Sequence, residues 1–88
     1  MKSIHSAPYR HLLLLLIEAR KKSKLTQQDL SKKLGRPQSY VSKFERAERR
    51  LDVIEFLEIS DTVGADPYEL LKEIEAMVVR ERHRETDQ

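Results

Sequence analysis

The chain contains no cysteine, only two glycines and only three prolines among its 88 residues. The missing cysteine excludes disulfides and thiolate metal sites, and permits a reducing compartment without requiring one. So little glycine and proline leaves few places where a helix must break or the chain must turn sharply. Long apolar runs are missing as well. The longest, Leu12 to Ile17, is six residues between His11 and Glu18, whereas a membrane-spanning helix needs about 20. No transmembrane helix is expected. The N-terminal charge is not followed by the longer apolar stretch and small-residue cleavage site of a secretory signal, so retention in the cytoplasm is the expectation.

The marks of catalysis are also thin. His5, His11 and His83 stand apart, with no carboxylate or thiol at ligand spacing, and no metal site is expected. No nucleophile motif, Gly-rich phosphate loop or paired-acid cleft occurs. A chain of this length reads as one compact domain, residues 1–88, with a core too modest to hold a catalytic cleft of usual size. Neither an enzyme nor a cofactor is expected.

What the chain does have is charge, unevenly placed. The formal net charge is +2, yet residues 1–50 carry 13 Lys or Arg against 4 Asp or Glu, and residues 51–88 carry 4 against 11. The first half is therefore +9 and the second −7. A basic half beside an acidic half suits a face that binds a polyanion, backed by one that repels it. Two merely solvated surfaces are the plainer alternative.

Apolar residues recur at helical spacing almost throughout, which predicts an all-α domain of five helices. The first runs from about Pro8 to Lys22, with Tyr9, Leu12, Leu13, Leu16, Ile17 and Arg20 on one stripe. Leu14 and Leu15 fall outside that stripe, which leaves either a helix buried on nearly all sides or an extra apolar patch. Thr26 can cap a second helix over 27–34, with Asp29 three residues on, Leu30 and Leu34 facing inward, and Gly35 ending it. Pro37 opens a short third helix through Val41 and Phe44 to about Arg46. Asp52 can cap a fourth, with Ile54 or Val53, Leu57 and Val63 as its buried rows, and Gly64 closes it. Asp66-Pro67-Tyr68-Glu69 starts a fifth. Its face of Leu70, Leu71, Ile74, Met77 and Val78 carries it to about Arg82, and the tail, Glu81 to Gln88, lacks apolar residues and is expected to fray.

Helices two and three, joined by a short turn containing glycine, make a helix-turn-helix, in which the second helix lies in the major groove. The elements Leu25-Thr26-Gln27, Leu34-Gly35, Gln38-Ser39 and Ser42-Lys43-Phe44-Glu45 together resemble the Cro and lambda-repressor-like, or XRE-type, family of DNA-binding domains. The resemblance covers about residues 9–71, leaving 72–88 as an extension of helix five and a tail. It implies a compact five-helix domain and a transcription regulator that binds double-stranded DNA.

Carried over residue by residue, the resemblance makes helix three the recognition helix, with Gln38, Ser39, Ser42 and Lys43 at its base-facing positions. The spacing agrees, because Val41 and Phe44 point inward while those four occupy the other faces. Gln can bond adenine bidentately, Lys can reach guanine, and Ser is a permissive partner. Gln27 in the first turn of helix two is expected at a phosphate. Arg46, Arg49 and Arg50, in the loop after helix three, and Arg36 in the turn are assigned to the DNA backbone. Tyr40 has two readings: its hydroxyl reaches a phosphate, or its ring covers the edge of the core. Arg20 and Glu45 match a family pair that ties helix one to the end of helix three; a buried Arg on an apolar stripe needs such a partner.

Two positions depart from the family pattern. Ala47 stands where the family usually has glycine, and must avoid the left-handed conformation or accept roughly 1 kcal/mol of strain. Pro37 stands where a hydroxyl residue is common, so helix three is left without a side-chain cap. One recognition helix reads few base pairs, and regulators of this type commonly bind as two-fold dimers. Ile74, Met77 and Val78 are the candidate homodimer contact, against the alternative that helix five merely folds back across the domain. The leading expectation is a dimeric repressor. Activation through RNA polymerase, an antitoxin that also binds a toxin, and sequence-independent binding driven by the basic half are the rivals.

Overall fold

The structure, a computed structural model, describes residues 6–86. Among them are five helices and no strand: α1 (Ala7–Lys22), α2 (Gln27–Lys33), α3 (Ser39–Glu45), α4 (Val53–Val63) and α5 (Pro67–Thr86). None is long and apolar enough to cross a membrane.

Helix starts follow local chemistry. The Ser6 hydroxyl accepts from the Tyr9 amide at 3.4 Å ahead of α1. Full capping boxes open α2 and α4, in which Thr26 pairs with Asp29 and Asp52 with Glu55. Each box occupies amides that a helix start otherwise leaves without partners. At α5, Asp66 accepts from the Tyr68 amide at 2.9 Å.

Helix ends share one device. After α1, α2, α3 and α4 the chain takes a left-handed residue, at Lys24, Gly35, Ala47 and Gly64, with φ of 62°, 68°, 60° and 76°. Beyond each, a backbone amide reaches back to close the last turn, as from Glu48 to the Lys43 carbonyl at 2.9 Å. Glycine is at ease there. Ala47 and Lys24 are not, so the strain foreseen at Ala47 is accepted rather than avoided.

The core is small and closed. Leu16, Leu30, Val41, Phe44, Ile59 and Val63 are at most 2% exposed, and each such burial contributes about 1.5–3 kcal/mol. Tyr9 and Leu13 of α1, Tyr40 of α3 and Phe56 of α4 complete it. The Tyr9 hydroxyl accepts from the Leu51 amide at 3.0 Å, which pins the loop ahead of α4 to α1. Ser23 donates to the Val63 carbonyl at 2.6 Å and ties the ends of α1 and α4.

Three expectations need correction. In α4 the buried row is Glu55, Phe56, Ile59, Ser60 and Val63, whereas Val53, Ile54 and Leu57 are 64%, 60% and 40% exposed. The capping box sets the phase: Asp52 as cap turns Glu55 and Phe56 inward, and the neighbouring aliphatics then face out. Helix α5 continues to Thr86 instead of fraying after Arg82; residues 87 and 88 lie outside the described part. Among the described side chains of α5 none is fully buried: Leu70, Ile74 and Met77 are half-buried, and Leu71 and Val78 are exposed. Of the two leucines outside the α1 stripe, Leu14 is 56% exposed and Leu15 half-buried.

Candidate nucleic-acid interface

The unit of α2 and α3 is held together from inside. Ser31, 1% exposed, donates to the Gln38 carbonyl at 3.2 Å and accepts from the Val41 amide at 3.3 Å. No side chain of α3 itself caps its start, in keeping with Pro37, so a hydroxyl from α2 serves one of its amides instead. Sequence reasoning passed over Ser31. Its signal was a small polar residue beside Leu30, where two helices must approach closely.

At the far end of α3, Glu45 receives Arg20. The Arg20 Nε lies 2.7 Å from one carboxylate oxygen of Glu45 and Nη2 lies 3.1 Å from the other, with side-chain exposures of 9% and 5%. Arg20 also donates to the Leu25 carbonyl at 2.8 Å. Gln27 joins the pair through its amide, 2.8 Å from Glu45. A planar fork, two carboxylate oxygens and a carbonyl satisfy most of what burial of these charges demands.

Outside this pair opens a concave surface lined by Thr26, Gln27, Gln28, Gln38, Ser39 and Ser42, with Arg20 at its floor. Gln38, Ser39 and Lys43 are exposed and Ser42 half-buried. Ser42 donates to the Ser39 carbonyl at 3.1 Å, which leaves its lone pairs outward. The structure therefore brings Gln27, Gln38, Ser39 and Ser42 together, with Lys43 exposed on the same helix. Gln28 is the member sequence reasoning left out; it is exposed and shares the concavity.

The residues assigned to phosphates divide. Arg46 is exposed and forks onto Glu48 at 3.0 and 3.2 Å, a solvent-facing pair that an anion can compete with. Arg50 lies 4.9 Å from the Tyr9 ring centre and lines the groove between α1 and α5, apart from the α2–α3 concavity. Arg36, Arg49 and Tyr40 are different. Tyr40 is 7% exposed and packs edge-on against Phe44, with Glu55 beside it. Arg49 lies 2.7 Å from Glu55, and Arg36 lies 3.7 Å from Glu55 and 3.1 Å from Glu58. Of the two readings of Tyr40, its burial and its contact with Phe44 favour the ring that covers the edge of the core. In this structure Arg36 and Arg49 are held by α4 carboxylates.

The electrostatics follow the geometry. Arg49 beside it, then the Asp52 amide, hold the Glu55 carboxyl down to about 2 against the resistance of burial. Burial, with Glu55 next to it, pushes the Tyr40 phenol up to about 12. Both groups keep one charge state across the neutral range.

The candidate dimer contact is divided as well. Ile74 and Val78 line a groove shared with Pro8, Tyr9 and Leu12 of α1, and His11 pairs with Glu73 across the two helices. Among the described residues no group of three or more His, Asp or Glu could hold a metal ion.

A capped helix, a glycine turn and a second helix presenting an outward polar face define a helix-turn-helix DNA-binding domain, and the helix-turn-helix family model matches residues 16–70. No curated protein matches. Among solved structures, an XRE-family like protein from Pseudomonas syringae pv. tomato str. DC3000 is 58% identical, with a TM-score of 0.77, covering 84% of this chain and 90% of that one. The chain belongs to the XRE-type helix-turn-helix family, whose members are DNA-binding transcription regulators.

Proposed function

We propose that this protein, acting as one domain in the cytoplasm, is a sequence-specific regulator that reads the major groove of double-stranded DNA with α3 and represses by occupying a promoter. The observation that carries the reading is the polar row of exposed Gln38, Ser39 and Lys43 with half-buried Ser42, standing over a closed core on a helix tied at both ends. Gln27 and Arg46 are the nearest candidates for the flanking phosphates, with Arg50 farther off. Gln38→Ala and Lys43→Ala, titrated against duplexes varied one base pair at a time, should each lose about 1–3 kcal/mol of discrimination at particular positions. Equal weakening on every duplex would sink the base-reading assignment.

A homodimer through the exposed edge of α5, at Val78 with Ile74 and Met77 beneath it, is the assembly we favour, because one helix reads too few base pairs alone. Val78→Glu should lower both the solution mass and the affinity for a palindromic duplex. If both stay unchanged, the dimer contact is elsewhere or absent.

A second reading has one observation on its side. Val53, Ile54 and Leu57 form an outward apolar row on α4, which suits a domain that also docks a protein partner, as an antitoxin does. Co-purification of one defined partner, lost on Ile54→Lys with DNA binding intact, would favour it.

A further inference from the structure

Arg36 lies just before α3 and Arg49 just after it, where cations beside a duplex ordinarily serve phosphates. Here both turn to α4. Their guanidinium carbons each lie 5.0 Å from the centre of the Tyr40 ring. Arg49 and Arg36 converge on Glu55, which lies beside the same tyrosine, and Glu58 accepts a hydrogen bond from Arg36. Glu55 is itself locked: its Oε1 accepts from the Asp52 amide at 2.9 Å, and its own amide donates to Asp52 at 2.7 Å. Its side chain is 8% exposed.

We propose that Glu55 is the positioning residue of the recognition helix: it withholds Arg49, and with Glu58 Arg36, from the DNA backbone and uses both cations to clamp Tyr40, and so α3, in one orientation. The inference rests on α3 being the helix that meets DNA. A phosphate competing for Arg49 must strip it from a nearly buried carboxylate that the Asp52 amide also holds in place. Arg46 faces only an exposed partner and is the easier cation to recruit. The clamp therefore exchanges sequence-independent attraction for a fixed helix angle.

The test is the salt dependence of binding to a random-sequence duplex, followed by fluorescence anisotropy for wild type, Glu55→Gln, Arg49→Gln, the double variant, and Glu75→Gln as an exposed control with the same change in charge. Glutamine at 55 keeps the shape and the acceptor for the Asp52 amide, and replaces the charged oxygen that faces the arginines with an amide group that cannot accept from them. Glu55→Gln should steepen the slope of log affinity against log salt by about 0.9 for each arginine released, about a 3.5-fold extra loss of affinity between roughly 50 and 200 mM salt per arginine. The double variant should lose the part due to Arg49, and Arg49→Gln alone and Glu75→Gln should keep the wild-type slope. The proposal is overturned by a folded Glu55→Gln with the wild-type slope. It is equally overturned if Arg49→Gln alone makes the slope shallower by about 0.9, which would place Arg49 on a phosphate. If the wild type binds duplexes without sequence preference, the base-reading proposal fails while these slopes still decide the clamp; a wild type that binds no duplex overturns both.

Discussion

Two carboxylates hold α3, and they do it differently. Glu45, its last residue, meets Arg20, an arginine already on the buried face of α1; Glu55, on α4, meets arginines drawn from the surface on either side of α3. Both carboxylates are nearly buried and both sit in an ion pair 2.7 Å from an arginine. The difference lies in the partners. Arg20 has a side-chain exposure of 9%, whereas Arg49 and Arg36 have 40% and 33%. An arginine that cannot reach water is stranded when its acid is removed, while one at the surface can turn outward. Glu45 therefore holds the fold, and Glu55 chooses between orientations and destinations of groups that would survive without it.

The sharpest way to break this comparison is to delete each acid in turn. Glu45→Ala should cost about 3–5 kcal/mol, because it leaves a buried guanidinium uncompensated, enough to unfold much of a domain whose total stability is about 5–15 kcal/mol. Urea melts should show it; a fully folded variant with altered base preference would reverse the assignment. Glu55→Ala should cost less, about 1–2 kcal/mol, mainly the lost capping-box bond to the Asp52 amide. Equal losses would erase the distinction.

Acid sharpens the same contrast. The folded-state value of Glu55, about 2, lies below its ordinary 4.5, so its contribution is complete above about pH 4.5 and is lost as pH falls toward 2. The urea midpoint of the wild type should drop across that window, and Glu55→Gln should flatten part of the drop. A variant as acid-sensitive as the wild type would show that Glu55 is not held as described.

The smallest effect belongs to the backbone beside Glu45. Ala47→Gly relieves a left-handed alanine at φ 60° and should raise stability by about 0.5–1 kcal/mol in a thermal melt, with base preference unchanged. A destabilised glycine variant would mean that the methyl group packs usefully against the core.

Arg20 with Glu45 was legible in the sequence because an arginine on an apolar stripe asks for an acid, and the resemblance named one. The helix starts were legible because Thr26, Asp52 and Asp66 announce themselves as caps. Glu55 was not, since in sequence it is only the third residue of a capped, acidic helix. Its burial depends on Tyr40 and the arginines on either side of α3 reaching across to α4, which no local pattern encodes. The same blindness misplaced the inward face of α4: Val53, Ile54 and Leu57 are the more aliphatic row, but the capping box sets the phase and turns Phe56 and Ile59 inward instead. Arg36 and Arg49 were read by position as phosphate contacts, and position says nothing about a nearer carboxylate.

The central proposal is that α3 reads base pairs in a fixed orientation, twice over, in a symmetric dimer. It meets its most direct test in selection of duplexes from a randomised pool by the purified protein at near-physiological salt, followed by sequencing. Enrichment of a palindrome with half-sites about one helical turn apart is the predicted result. Retention of DNA with no enriched sequence would contradict it, and would leave a basic surface without a reader.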